Sequence, residues 1–344
     1  MLTENLKIKD IAKALQVAPS TVCRALQGRH NISEATRKKI EDYAAKHHYR
    51  PNLFAQSLQK KKTRYIGVML SSIPNMFFSQ VIDGIEAVTN ENNYFSIITQ
   101  TNESYEQEVK KIENLEWRSI DGLLVSLSSE TEDLTHFKRL QEAGIPIVFF
   151  DRITDAIKTH TVSVDNKGGA YNCTKQLIEE KGCSRIAHIT SPQLLSITKE
   201  RLDGYLTALN ESNLFISDAY TKYCAHGGKK SEEIAIAFNE LMTLPKPPDA
   251  IFTGSDRITM ECLNLAQIWK EKTGKSITIA GFSNFEMPEI LNNNIITVKQ
   301  PAFEMGKLAT ELLFELIDKK DKSPQKYFDK IVLPTTLNSN HLNR

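Results

Sequence analysis

The sequence predicts an α/β protein: a small three-helix head at the N-terminus, then a core of two parallel sheets with helices on both faces. Three observations lead there. The segment 1–64 shows helical periodicity only and is strongly basic. From Tyr65 onward, short β-type runs alternate with longer amphipathic stretches, the pattern of parallel sheets covered by helices. The length of 344 residues suggests two or more domains, at roughly 100–200 residues each.

Charge is distributed unevenly. The whole chain carries a formal net charge of +1, which taken alone argues against a polyanionic partner. The segment 1–64, however, holds 14 basic and five acidic side chains, a net +9, and the segment 65–344 carries −8. Such asymmetry points to a basic module that meets nucleic acid. The plain alternative is a solvated basic helical face.

Several classes are disfavoured. The five cysteines (Cys23, Cys173, Cys183, Cys224, Cys262) form no C-x-x-C pair and have no histidine at metal-ligand spacing, so neither zinc nor a disulfide framework is expected. Free thiols suit a reducing cytoplasm. No basic-then-apolar leader opens the chain, and no apolar run approaches the ~20 residues that cross a bilayer. A cytoplasmic location is expected. Phosphate-binding, dinucleotide-binding, metalloprotease and nucleophile-elbow motifs are missing, so no enzyme and no cofactor is expected. Two loose Ser-x-x-Lys matches, Ser57–Lys60 and Ser196–Lys199, recur too easily by chance to argue otherwise.

In the head, Ile8, Ile11, Ala12 and Leu15 fall on one face of a first helix. Pro19 suits the first turn of a second helix, because its missing N–H would be unpaired there anyway. Val22, Ala25 and Leu26 mark that helix's buried side, while Ser20, Thr21 and Arg24 point elsewhere. Gly28 stops it. Ser33 caps a third helix, with Glu34 in its first turn and Ile40, Tyr43 and Ala44 as its apolar stripe. Three short helices with tight turns and a net +9 describe a helix-turn-helix module.

In the core, strands are expected at 65–70, 95–100, 122–127, 145–150, 185–190, 250–253 and 277–281. Helices are expected near 79–92, 104–118, 132–143, 167–181, 199–212, 230–243, 256–272 and 302–319. About ten strands over a stretch of this length fit two lobes better than one.

Ile8-Lys9-Asp10-Ile11-Ala12, Val17 through Leu26, Ile32 through Arg37 and Tyr49-Arg50-Pro51-Asn52 resemble, without a gap, the N-terminal signature of the lactose/galactose-repressor family. The resemblance implies that the second helix lies in the major groove of operator DNA. Ser20 and Arg24 would then reach base edges, with Arg suited to bidentate contact with guanine. Thr21, Asn31 and Ser33 would hold phosphates, and simple capping by Thr21 and Ser33 is compatible with that. Pro51 through Leu58 resembles the family's hinge helix. It is too short to be stable alone, and in the family it folds when two copies pair over the minor groove. Leu58 matches the leucine wedged between base steps, and Ala55 allows close backbone approach. Lys60-Lys61-Lys62 then follows as a basic linker.

The rest resembles the family's effector-binding core, a two-lobed fold like that of periplasmic binding proteins. Ile66-Gly67-Val68, Asn75 through Phe78, Asp121-Gly122-Leu123, Gly144 through Val148, Asp151-Arg152, Val164-Asp165-Asn166, Glu200 through Tyr205, Gly281-Phe282 and Gln300 through Gly306 carry the match. The implied division is 1–50 head, 51–63 hinge and linker, and 64–344 core. Lobe one takes 64–163 and 296–324; lobe two takes 164–292 and 325–344. A small effector, most readily a sugar, would sit between the lobes at the carboxyl ends of the strands. The matching positions are Ser71, Phe77, Phe78, Asp151, Arg201, Ser255, Asp256 and Ser283. Asp151 and Asp256 could accept from hydroxyls and Arg201 supplies a forked donor, while Phe77 suits the core equally well. Asp165 is expected to start a helix.

Departures from the family pattern bear on stability and ligand. Lys7, Gln16, Ala18 and Cys23 stand where a helix-capping Ser or Thr, a turn glycine, a capping serine and a serine are usual. Gly281-Phe282-Ser283-Asn284 stands where the family often has Gly-Phe-Asp-Asp, which removes a carboxylate from the cleft, and His226-Gly227-Gly228 stands where many members place an aromatic platform. The expectation is a homodimeric repressor on palindromic duplex DNA, with a carbohydrate effector, no metal and no membrane contact. The alternative, a sugar-binding transport or chemoreceptor protein, shares the core but not the basic head.

Overall fold

The computed structural model of the chain describes residues 6–26, 32–47, 49, 62–285, 295–319 and 327–339. The chain divides into two compact units, Met1–Thr63 and Arg64–Arg344.

The head contains α1 (Ile8–Leu15), α2 (Pro19–Leu26) and α3 (Glu34–Lys46). Their apolar faces close on Ile11, Ala12, Val22, Ala25, Ile40 and Ala44, none more than 5% exposed. The capping chemistry follows the sequence. Lys7 offers α1 no side-chain acceptor, and the Asp10 carboxylate instead accepts from the Lys7 N–H at 2.8 Å. Gln16 ends α1 in the left-handed region at φ 52°, where a side chain costs energy that glycine does not. Ala18 contributes only its carbonyl to the start of α2. Ser33 caps α3, its hydroxyl accepting from the Thr36 N–H. Gly28, Asn31 and the hinge expectation over 51–58, with Ala55 and Leu58, lie outside the described residues.

The core is built from two six-stranded sheets. In chain order its elements are β1 (Tyr65–Leu70), α4 (Met76–Glu91), β2 (Phe95–Gln100), α5 (Tyr105–Trp117), β3 (Gly122–Val125), α6 (Thr135–Glu142), β4 (Ile147–Phe150) and β5 (Thr161–Val164). Then come α7 (Asn166–Glu179), β6 (Ile186–Thr190), α8 (Ser196–Glu211), β7 (Thr221–Tyr223), α9 (Ser231–Met242), β8 (Ala250–Thr253), α10 (Asp256–Thr273) and β9 (Thr278–Phe282). Finally β10 (Ile295–Lys299), α11 (Ala302–Asp318), β11 (Lys330–Leu333) and β12 (Thr336–Ser339) complete it. Sheet one has the order β11-β5-β4-β3-β1-β2, all parallel; sheet two has β12-β10-β9-β8-β6-β7, in which β12 runs antiparallel to the rest. The inner strands are apolar on both faces and almost fully buried, as parallel sheets between helix layers require.

The lobe boundaries differ from the expected ones at two places. Ile295–Val298 pair with Ile279–Phe282, so this segment belongs to sheet two and the chain crosses only after Lys299. Lys330–Leu333 pair with Thr161–Val164 in sheet one, and only β12 returns to sheet two. Among the described residues the lobes are therefore joined by three crossings, between β5 and α7, β10 and α11, and β11 and β12. Five strands (β5, β7, β10, β11, β12) are not individually predicted by the sequence. They are short or mix polar residues into the run.

Close helix packing is set by glycine. A Cβ on Gly84 of α4 would lie 2.0 Å from the Phe303 carbonyl oxygen, and one on Gly306 of α11 would lie 2.1 Å from that of Val81. The two helices can approach this closely only because both positions lack side chains. That contact anchors α11 to lobe one.

Candidate functional site

On the head, α2 presents Ser20 and Arg24 exposed to solvent, opposite the buried Val22 and Ala25, while Thr21 is half-buried. Ser20 and Arg24 are one helical turn apart and share a face. Ser33 is exposed, and its hydroxyl is committed to the cap of α3. Cys23, two residues along α2 from Thr21, is half-buried. A helix with one apolar face in the head's core and an unencumbered Ser/Arg face outward can be laid in a DNA groove.

In the core, the sheet orders reverse direction between β1 and β3 and between β6 and β8, which is where open α/β sheets place ligands. Ser71 follows β1, Asp151 follows β4, Ser191 follows β6, and Ser255-Asp256 follow β8. All but Ser255 are less than 9% exposed. At the same rim Asn102, Glu103 and Asp151 have φ of 56°, 64° and 59°, in the left-handed region that non-glycine residues adopt uncommonly.

Arg201, on α8, lies at the junction of the lobes. Its Nε donates to Asn166 Oδ1 (2.8 Å), Nη1 to the Gly254 carbonyl (2.6 Å) and Nη2 to Gln300 Oε1 (3.0 Å), and the guanidinium sits 3.6 Å from the Phe282 ring centroid. Asn166 opens α7 just beyond the first crossing and Gln300 lies in the second. Burial lowers this guanidinium to about 10, against the attraction of Asp151. Asp151 accepts from Ser126 Oγ at 3.1 Å. Burial raises its carboxyl and the charges of Arg152 and Arg201 hold it down in part. Asp256 accepts from the Ser283 hydroxyl, and burial raises it too. Ser255 Oγ is buried without a hydrogen-bond partner.

The two phenylalanines fall elsewhere. Phe77 and Phe78 are 4% and 3% exposed and belong with Val81, Ile85 and Met305 to the apolar cluster of lobe one. Their rings are committed to packing. Asp165 does begin α7, accepting from the Gly168 N–H at 2.8 Å.

Residues not singled out from the sequence complete the arrangement. Glu103 and Arg152 form a buried bidentate pair at 2.7 and 3.0 Å. Burial alone would raise the Glu103 carboxyl, but Arg152 and the Ser129 N–H bring it below its usual range. Three residues of lobe two reach lobe one with polar contacts: Arg257 to Ser72 Oγ and the Pro74 carbonyl, Asn284 Nδ2 to Gln80 Oε1 (2.7 Å), and Lys229 Nζ to the Asn102 carbonyl (3.2 Å), among the described residues. These partners stand far apart in the chain, so no local motif could reveal them. Among the described residues no cluster of metal-ligating side chains occurs and no helix is long and apolar enough to cross a membrane.

Residues 7–52 match the lacI family of bacterial regulatory proteins, and residues 66–321 match a periplasmic binding protein domain. The transcriptional repressor PurR of Vibrio atlanticus is 30% identical over 91% of this chain and 92% of its own. Among solved structures, the lac repressor dimer bound to operator and an anti-inducer superposes with a TM-score of 0.80 at 19% identity, covering 97% of this chain and 98% of that one. The regulator CelR in complex with cellobiose gives 0.69 at 24% identity, with the same coverage.

Proposed function

The chain belongs to the lacI family of bacterial regulatory proteins and is a DNA-binding transcriptional regulator rather than an enzyme; on that premise we propose that it is a cytoplasmic, homodimeric repressor whose hold on a palindromic operator is set by a carbohydrate effector. Two heads would read the two half-sites, with Ser20 and Arg24 at base edges and Thr21, Asn31 and Ser33 on the backbone. Paired hinge helices, through Ala55 and Leu58, would kink the centre.

The observation that carries this reading is Arg201. It is a buried cationic fork tied at once to Asn166 and Gln300, at two of the three crossings between the lobes. A ligand that competes for those donors, or strengthens them, changes the relative stability of lobe arrangements. A ligand shifts such an equilibrium only by its differential affinity for the two states. Asp151, Asp256, Ser71, Ser255 and Ser283 lie on the same strand ends and offer acceptors and donors suited to hydroxyl groups. A structural neighbour of the same fold, the regulator CelR, holds cellobiose, which supports a sugar.

The test is operator affinity with and without a saturating effector found by thermal-shift screening. A ligand at about 100 times its Kd stabilises the folded chain by about 2.7 kcal/mol, which is readily seen. The expected result is a ligand-dependent change in operator affinity that Arg201→Ala abolishes. A ligand that binds but leaves operator affinity unchanged counts against the reading.

A further inference from the structure

Arg152 has an unused edge. A guanidinium carries five N–H donors in a fixed plane. Glu103 takes the end-on pair, Oε2 from Nη1 at 2.7 Å and Oε1 from Nη2 at 3.0 Å, and the Leu127 carbonyl takes the remaining Nη1 donor at 3.2 Å. What remains is Nε–H and the second Nη2–H, which lie parallel along the other edge. Nε is buried with no hydrogen-bond partner, in a residue that is only 7% exposed. A buried donor of a charged group left without a partner is costly, typically on the order of 1–3 kcal/mol or more, and calls for a functional account.

The pair meets the opposite lobe. A Cβ on Gly227 would stand 3.3 Å from Glu103 Oε1 and 3.9 Å from Arg152 Nη2. Gly227, at φ 61°, thus brings lobe two against the pair without a side chain in between. Arg152 is felt electrostatically by Arg201 and Arg257 of lobe two. Ser129 Oγ, on the residue whose N–H binds Glu103, is likewise buried and unpartnered.

We propose that the effector carries an oxyanion, a carboxylate or a phosphate on a polyhydroxylated body, and that Arg152 reads it side-on through Nε and Nη2 while Glu103 holds the guanidinium in plane. The inference rests on the effector reading above and narrows it from carbohydrates in general to acidic ones. Parallel N–H donors match two oxygens of such a group in a way a lysine ammonium cannot.

The experiment uses the full chain and three matched probe series: the neutral hexoses glucose and galactose, their hexuronates, and their 6-phosphates. Melting temperature and calorimetric Kd are measured for each. The expected result is that an acidic probe binds at least about 10-fold more tightly than its neutral parent. A hexuronate response assigns a carboxylate, and a hexose phosphate response assigns a phosphate. R152K keeps a positive charge beside Glu103 but has no fork, and it should lose the preference. The double variant E103Q/R152Q removes both charges together, which avoids stranding one in the interior, and should lose it as well. An acidic preference that survives in R152K overturns the proposal. A response confined to neutral sugars overturns it while leaving the effector reading intact; no response in any series overturns both.

Discussion

Arg201 shows how much one side chain can be asked to do. Removing it leaves Asn166 Oδ1, the Gly254 carbonyl and Gln300 Oε1 without their donor in the interior, at on the order of 1–3 kcal/mol each. Arg201→Ala should therefore destabilise the core by about 3 kcal/mol or more, as well as abolishing the effector response. Chemical denaturation followed by tryptophan fluorescence measures this, and a loss below about 1 kcal/mol would contradict the bonded arrangement. His188 makes a different prediction. It is stacked on Tyr205 and Phe252, with Nδ1 bonded to the Phe252 carbonyl, and burial lowers its pKa to about 4. The folded value lies below the unfolded one of about 6.5, so protonation favours unfolding. The stability this neutral imidazole allows is complete above about pH 6.5 and is lost as pH falls towards about 4, by up to about 3 kcal/mol. His188→Phe should flatten the profile in that window relative to the parent chain. Identical acid profiles would sink the assignment.

At the scale of elements, the head and core were legible to different depths. The helices of the head could be placed because apolar spacing, Pro19 and the Ser33 cap all agree. The departures in its sequence are visible as geometry: Gln16 at φ 52° and an α2 start that draws only on the Ala18 carbonyl. Gln16→Gly should stabilise the head by about 0.5–1 kcal/mol, and Ala18→Ser by about 1 kcal/mol. Both are read from the head's own thermal transition, followed in the full chain. In the core, apolar runs revealed the central strands, whereas β5, β7 and β11 are short segments whose pairing partners alone make them strands. The α4–α11 contact was hidden for a related reason. Only the fold shows that Gly84 meets a carbonyl from the far end of the chain, at Phe303. Gly84→Ala should cost the core about 1–3 kcal/mol or more, seen as a lower denaturation midpoint; an unchanged midpoint would mean the helices can separate freely.

Over the whole molecule, sequence distribution rather than sequence average carried the function. The basic head and acidic core nearly cancel in net charge, and the split between them pointed to DNA before any resemblance was used. The cleft was legible only in part. Asp151 and Asp256 could be named because they follow strand ends, and Arg201 because it matches the family pattern, while Glu103–Arg152 and the contacts across the lobes depend on pairings that local patterns do not encode. The head's charge implies operator binding that weakens steeply with salt, as counterions are released. Specificity, by contrast, should rest on Arg24. The most direct measurement is the affinity of the full chain, at one fixed salt concentration, for a palindromic duplex selected from a random pool and for its scrambled counterpart. The account predicts a preference of about 1,000-fold or more for the palindrome, reduced by about 10- to 100-fold in Arg24→Ala. Equal affinity for the two duplexes, or a preference unchanged by Arg24→Ala, would contradict it.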